Sequence, residues 1–300
     1  MNKKISKYLI IATFLIAVGC IILGMVMTKV SWDFSKISTF NYETNNYSVN
    51  SNFKNISIVT DTADIEFIPS EDLNAMVVCN EYKNLKHSVI VEDNTLLIQI
   101  SDARKWYEYV GINFNIPKIT IYIPKGNYDD LSIKSSTGDI KIAKDFVFKS
   151  VGINTSTGDV DNYASSLDFI KINTSTGDIS VKNVFANMID LSVSTGDINI
   201  TNTNCKNFIS RGDTGRIILK NVIATEKLLI ESDTGDVKFD GCDSSDVFVK
   251  TDTGDVKGSF LTEKVFILKT DTGNIDVPES ITGDKCKITT DTGNIKITID

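Results

Sequence analysis

The chain has 300 residues, 41% of them apolar, with 39 acidic against 31 basic side chains and a net charge of −8. That length holds one to three domains, and the acids are spread along the chain, which excludes nucleic acid as a partner because phosphate binding needs a basic face. Five cysteines without a CxxC pair and a single histidine offer no zinc-ligand spacing and no Ser/His/Asp arrangement. The sequence therefore predicts no catalytic residue, no cofactor and no metal ligand.

The first element in chain order is a membrane segment. Residues 1–7 carry Lys3, Lys4 and Lys7 and no acid, and residues 8–28 carry no charge. An uncharged run of that length at about 1.5 Å per residue spans roughly 30 Å, the hydrocarbon thickness. The lysines ahead of it favour a cytoplasmic N-terminus, which puts everything after Lys29 outside the cell. A cleaved signal peptide would have a shorter apolar core and a small-residue cleavage site. A lipoprotein signal would use Cys20 in the stretch Ala17-Val18-Gly19-Cys20, but the mature chain would then begin with the apolar run IILGMVM. The expectation is an uncleaved single-pass anchor that meets the lipid bilayer through residues 8–28 and holds the rest at the cell surface.

Residues 29–55 are polar with scattered aromatics and read as a linker or N-terminal cap. Residues 56–67, ISIVTDTADIEF, have the alternation of a strand on each side of a turn. Residues 56–130 as a whole read as irregular β coils, with strands on both sides of an Asp93-Asn94 turn. They hold the lone histidine, His87, expected at the surface or in the cap. They also hold the aromatic cluster Trp106, Tyr107, Tyr109 and Phe114, expected to pack over the N-terminal end.

From residue 131 to 300 a repeat takes over. Thr-Gly followed by Asp, Asn or Arg recurs with glycines at Gly138, Gly158, Gly177, Gly196, Gly215, Gly235, Gly254, Gly273 and Gly293, spaced 19 or 20 residues apart. Seven and five residues before each glycine, and two after it, the side chain is almost always Ile, Leu, Val or Phe, with polar residues between. Period-two alternation on both sides of a glycine turn gives two short strands per coil, each with one buried face. The remaining seven or eight residues return the chain to the next coil and absorb the spacing variation. One coil cannot bury its own apolar face, so the coils must stack. The predicted fold is all-β: a single-stranded parallel β-solenoid of 19–20-residue coils, right-handed by the crossover rule, behind one transmembrane helix.

The repeated STGDI and DTGDV units over residues 56–300 resemble a putative-adhesin β-strand-repeat family of bacterial cell-envelope proteins. This resemblance implies a fold and no catalytic residues. It implies a non-enzymatic extracellular binding or scaffold module, or alternatively an accessory or regulatory component of an envelope-stress response, with an envelope protein or wall polymer as partner.

Four features carry expectations of their own. The acids at the turns, densest at Asp233, Asp236, Asp252 and Asp255, could offer oxygens to calcium, but suit a tight turn on a solvated edge better. Arg216, the one base in the turn row, is expected to relieve repulsion between Asp197 and Asp236. Cys205, Cys242 and Cys286 are expected as buried small hydrophobes. The last coil, ending at Asp300, is expected to expose an open sheet edge, available for self-association.

Overall fold

The computed structural model describes residues 3–29, 31–32, 42–72, 74–102 and 116–300. The aromatic cluster at 106–114 lies outside the described residues. Helix α1 covers Lys3–Lys29, and within it Tyr8–Lys29 is long and apolar enough to cross a membrane. A membrane anchor and a signal sequence both meet that description.

The alternating rows of the repeat become parallel sheets. Leu131, Val151, Ile170, Ile189, Phe208, Leu228 and Val247 stand in register along one face. Ile140, Val160, Ile179, Ile198, Ile217, Val237 and Val256 stand in register along the next. Both rows are at most 1% exposed, and each such side chain contributes about 1.5–3 kcal/mol by leaving water.

The return segment is a third strand face rather than a loop. In the central coils one strand runs unbroken from turn to turn, as Ile198–Thr214, Ile217–Thr234 and Val237–Thr253. Val184, Ala186, Cys205, Val222, Ala224 and Cys242 face inward from it and close the core. The corner leading into this face is left-handed at Asn183, Asn202 and Asn221, with φ of 58°, 51° and 51°, a conformation asparagine tolerates better than most residues. Their side chains form a ladder, Asn221 Nδ2 donating to Asn202 Oδ1 at 2.9 Å and Asn202 Nδ2 to Asn183 Oδ1 at 3.0 Å. The register shifts between coils fall in the return segments, where the spacing variation was expected.

The N-terminal end is built out of sequence order. Strand Asn55–Val59 pairs directly with Gly126–Thr137, and Asp64–Ser70 with Ile140–Ile142, so the first coil stacks on the Gly138 coil. On its other side lie Thr95–Asp102 and Lys118–Pro124, both still parallel. The end is then closed by antiparallel strands. Leu85–Glu92 folds back on Thr95–Asp102 about the left-handed Asp93-Asn94 turn, and Ala75–Tyr82 lies between Lys118–Pro124 and Tyr42–Val49.

The C-terminal end corrects the expectation for the last coil. Strand Asp284–Thr292 pairs with Val237–Thr253 on one side and Lys264–Thr272 on the other. Ile295–Ile299 likewise lies between Val256–Phe260 and Ile275–Asp276. The Gly293 coil is therefore inserted between the Gly254 and Gly273 coils, and the outermost coil is the Gly273 one. The contact surface expected at the chain's last coil is interior, because in a repeat of constant phase each coil edge fits any other.

Candidate functional site

The turn edge is the most regular surface of the molecule. Each glycine from Gly138 to Gly254, and Gly293, donates its N–H to a threonine carbonyl of the neighbouring coil at 2.9–3.0 Å. The nine glycines sit at φ between +125° and +157°, and a Cβ on any of them would lie 1.8–2.3 Å from the carbonyl oxygen of the residue stacked against it. Glycine is thus required twice over, by backbone conformation and by the closeness of the stacking.

The following residue supplies a second ladder. Asp64 Oδ1 accepts the N–H of Asp139, Asp139 that of Asp159, Asp159 that of Asp178, and Asp178 that of Asp197, at 2.7–2.9 Å. Asp236, Asp255 and Asn294 continue it through Asp255, Asn294 and Asn274 at 2.8–3.0 Å. One oxygen of each carboxylate is committed to backbone, which explains why Asn serves as well as Asp.

Arg216 interrupts this ladder. Its N–H is held by Asp197 Oδ1 at 2.8 Å, and its guanidinium turns back onto Asp197 Oδ2 through Nε at 3.1 Å and Nη2 at 2.5 Å. Burial works to raise the Asp197 pKa, but the hydrogen bonds and charge of Arg216 outweigh it and hold the carboxyl below its usual range. Arg211 belongs to a separate surface chain, bonding Asp190 at 3.0 Å and Glu231 at 3.2 Å. The two arginines therefore bind acids of their own chain.

Cys205, Cys242 and Cys286 are buried free thiols in the core. Burial alone pushes Cys205 up to about 12, and burial is also the largest cause of the same rise at Cys286.

Two buried polar clusters were not foreseen. At the C-terminal end Lys264, fully buried, donates to Asp243 at 2.5 Å, Thr262 at 2.8 Å and the Ser244 carbonyl at 2.9 Å, with Asp284 at 3.4 Å. It ties the return segment of the Gly235 coil to the inserted one. In the cap, His87 is 4% exposed and Glu81 1% exposed, so the histidine is a cap residue and not a surface one. Glu81 Oε2 accepts from the His87 backbone N–H at 2.6 Å and lies 2.7 Å from Nδ1, while Nε2 lies 2.9 Å from Thr60 Oγ1. Asn45 donates to Glu81 Oε1 at 2.8 Å, and the Tyr47 hydroxyl donates to the His87 carbonyl at 3.0 Å. Cys79 is buried beside them, and burial, with the charge of Glu81 adding, pushes its thiol up to about 12. The spacing Cys-x-Glu followed by His in the next strand was the available signal, and it reads as a site only once the hairpin is known.

The open end is the remaining feature. Ile275 is 47% exposed, whereas the same position in the other Thr-Gly coils is at most 1% exposed. Phe266, Leu268 and Val277 beside it are only half-buried. Among the described residues no strand pairs with the outer edge of Lys264–Thr272.

A family model, Toastrack DUF4097, matches residues 53–213 and again 204–300. The chain belongs to the Toastrack family. The two matches meet within the Gly215 coil, so this Toastrack chain carries the family pattern from the cap to the inserted coil. No curated protein sequence matches it. Among solved structures it is similar to a putative adhesin of Bacteroides fragilis, at 20% identity and a TM-score of 0.48 over 86% of this chain and 97% of that one. It is also similar to a putative lipid binding protein of Parabacteroides distasonis, at 15% identity and 0.49 over 87% and 98%. A putative adhesin of the same organism aligns at 15% identity and 0.38. Family membership rests on the sequence match and not on these likenesses.

Proposed function

We propose that this Toastrack chain is a non-enzymatic binding module of the bacterial cell envelope, anchored by α1 with its solenoid outside the cell, which joins to a second copy through the open Gly273 coil. The observation that carries this reading is the half-exposed Ile275 on an edge whose counterparts are sealed. A stack end with unpaired backbone and uncovered core side chains recruits strands. The occupant follows from the molecule's other end, where the same kind of edge is closed by antiparallel strands. Two open ends related by a twofold axis meet in that antiparallel sense, each covering the apolar row of the other. Lys269 and Asp271 flank Thr270, so pairing centred there sets each lysine opposite the second copy's aspartate. The chain from α1 enters the fold at the cap, through Tyr42–Val49, which leaves the opposite end available.

A photo-crosslinking residue at position 275 of the full-length protein in its own membrane tests this. The expected product is a covalent dimer from position 275 and none from Lys238, on the flank. Crosslinks from 275 only to other envelope proteins would overturn the self-association and give this edge to a different partner; no crosslink at all would overturn it and leave the module's partner elsewhere.

A further inference from the structure

We infer that Cys79, Glu81 and His87 form a binding site for one divalent transition-metal ion of the zinc class, which fastens the N-terminal cap. The three residues present a sulfur, a carboxylate oxygen and an imidazole nitrogen that all lie within 4.8 Å of one another. Cys79 and Glu81 share a face because they are two apart on strand Ala75–Tyr82, and the short turn to Leu85–Glu92 brings His87 across to them. A mixed sulfur, nitrogen and oxygen set suits zinc, which takes four ligands at about 2.0–2.3 Å. It does not suit calcium or magnesium, which take oxygens.

The ligands are also held from behind, as metal ligands usually are. Nδ1 of His87 faces Glu81, and its far nitrogen, Nε2, is held by Thr60 at 2.9 Å. Glu81 is steadied through its second oxygen by Asn45 at 2.8 Å. Thr60 belongs to the first solenoid coil and Asn45 to the outermost cap strand, so these bonds reach from the site into the coil and the strand on either side of it. A zinc ion there releases the thiol proton to solvent and takes the place of the proton between Nδ1 and Glu81, the bound imidazole carrying its N–H at Nε2 toward Thr60, and keeps a fourth position for water. No redox change or further reactant is needed. A hydrogen-bonded histidine–carboxylate pin without metal is the competing reading, and it assigns the thiol no part.

The test uses the full-length protein in detergent, stripped with a strong chelator and titrated with cobalt(II) and then zinc. One equivalent of cobalt should bind with a near-ultraviolet thiolate-to-cobalt charge-transfer band, and one equivalent of zinc should abolish it. Cys79→Ser should lose the band, and Cys242→Ser, a buried thiol elsewhere, should keep it. Thr60→Ala leaves all three ligands in place and should weaken binding roughly 10–100-fold, the range for a residue that orients a ligand. If Cys79→Ser fails to fold, the thiolate band of the unaltered protein decides the matter. Folded protein that takes up no stoichiometric cobalt, or cobalt bound without a thiolate band, overturns the site and leaves the pin.

Discussion

At the scale of single residues, the turn column separates two demands that a sequence pattern merges. Gly196→Ala meets both the left-handed backbone and a carbonyl at 2.2 Å, and should cost about 3 kcal/mol in urea unfolding from strain and overpacking together. Asp178→Asn keeps the oxygen that accepts the Asp197 N–H and should be near neutral, while Asp178→Ala should cost about 1 kcal/mol. Equal effects for the two Asp178 variants would remove the ladder's role. Ser210 makes the opposite case. It stands in the apolar row between Leu191 and Ile230, buried with its hydroxyl unpartnered, so Ser210→Ala should raise stability by up to about 1 kcal/mol. The Asp197–Arg216 pair gives a pH signature. Because the folded carboxyl titrates lower than the unfolded one, its contribution is complete above the ordinary carboxylate range and disappears as pH falls through the lowered value. Arg216→Ala should flatten that part of the acid limb of stability against pH.

At the scale of elements, Lys264 is the side chain on which the C-terminal crossover depends. Removing it leaves Asp243 and Asp284 without their cation, and Lys264→Ala should cost about 2–4 kcal/mol, below the full value for a buried pair because both aspartates retain some solvent. Loss measured by chemical unfolding with no change in a Lys257→Ala control checks it. The coil itself was legible beforehand. Glycine spacing fixed the period, and the residues at Leu131, Ile133 and Ile140 with their successors fixed which way each strand faces. The third face was less legible, since its inward residues are small and mixed, such as Ala186, Thr203 and Ser244. The asparagines at 183, 202 and 221 did mark its corner and could have been read. Coil order was not legible at all, because a repeat of constant phase contains no record of which edge meets which. The cap cluster was hidden for a different reason: Cys79 and His87 are neighbours only through a hairpin.

At the scale of the whole molecule, the solenoid is closed at one end and open at the other, and its acidic turn edge is occupied by backbone. The four aspartates at 233, 236, 252 and 255 are not a group of idle ligands, since Asp236 and Asp255 each hold a neighbouring coil's N–H. Added calcium should therefore leave the melting temperature of the solenoid unchanged. A rise of several degrees at millimolar calcium would return those acids to consideration as a metal site.

The inserted Gly293 coil has a consequence for how the molecule is made. A chain that emerges from its N-terminus during synthesis can lay down each middle coil on the edge left by the previous one, so those contacts form in the order of synthesis. The Gly273 coil cannot do this. When it emerges, its final neighbour has not yet been delivered, and the edge in front of it belongs to a later segment. It must either wait or settle in the wrong slot and be displaced. The last strands thus act as a closing wedge: while the Gly273 coil waits, a nascent chain lacking them presents three unsatisfied edges, one on the Gly254 coil and both on the Gly273 coil, where the finished end presents one.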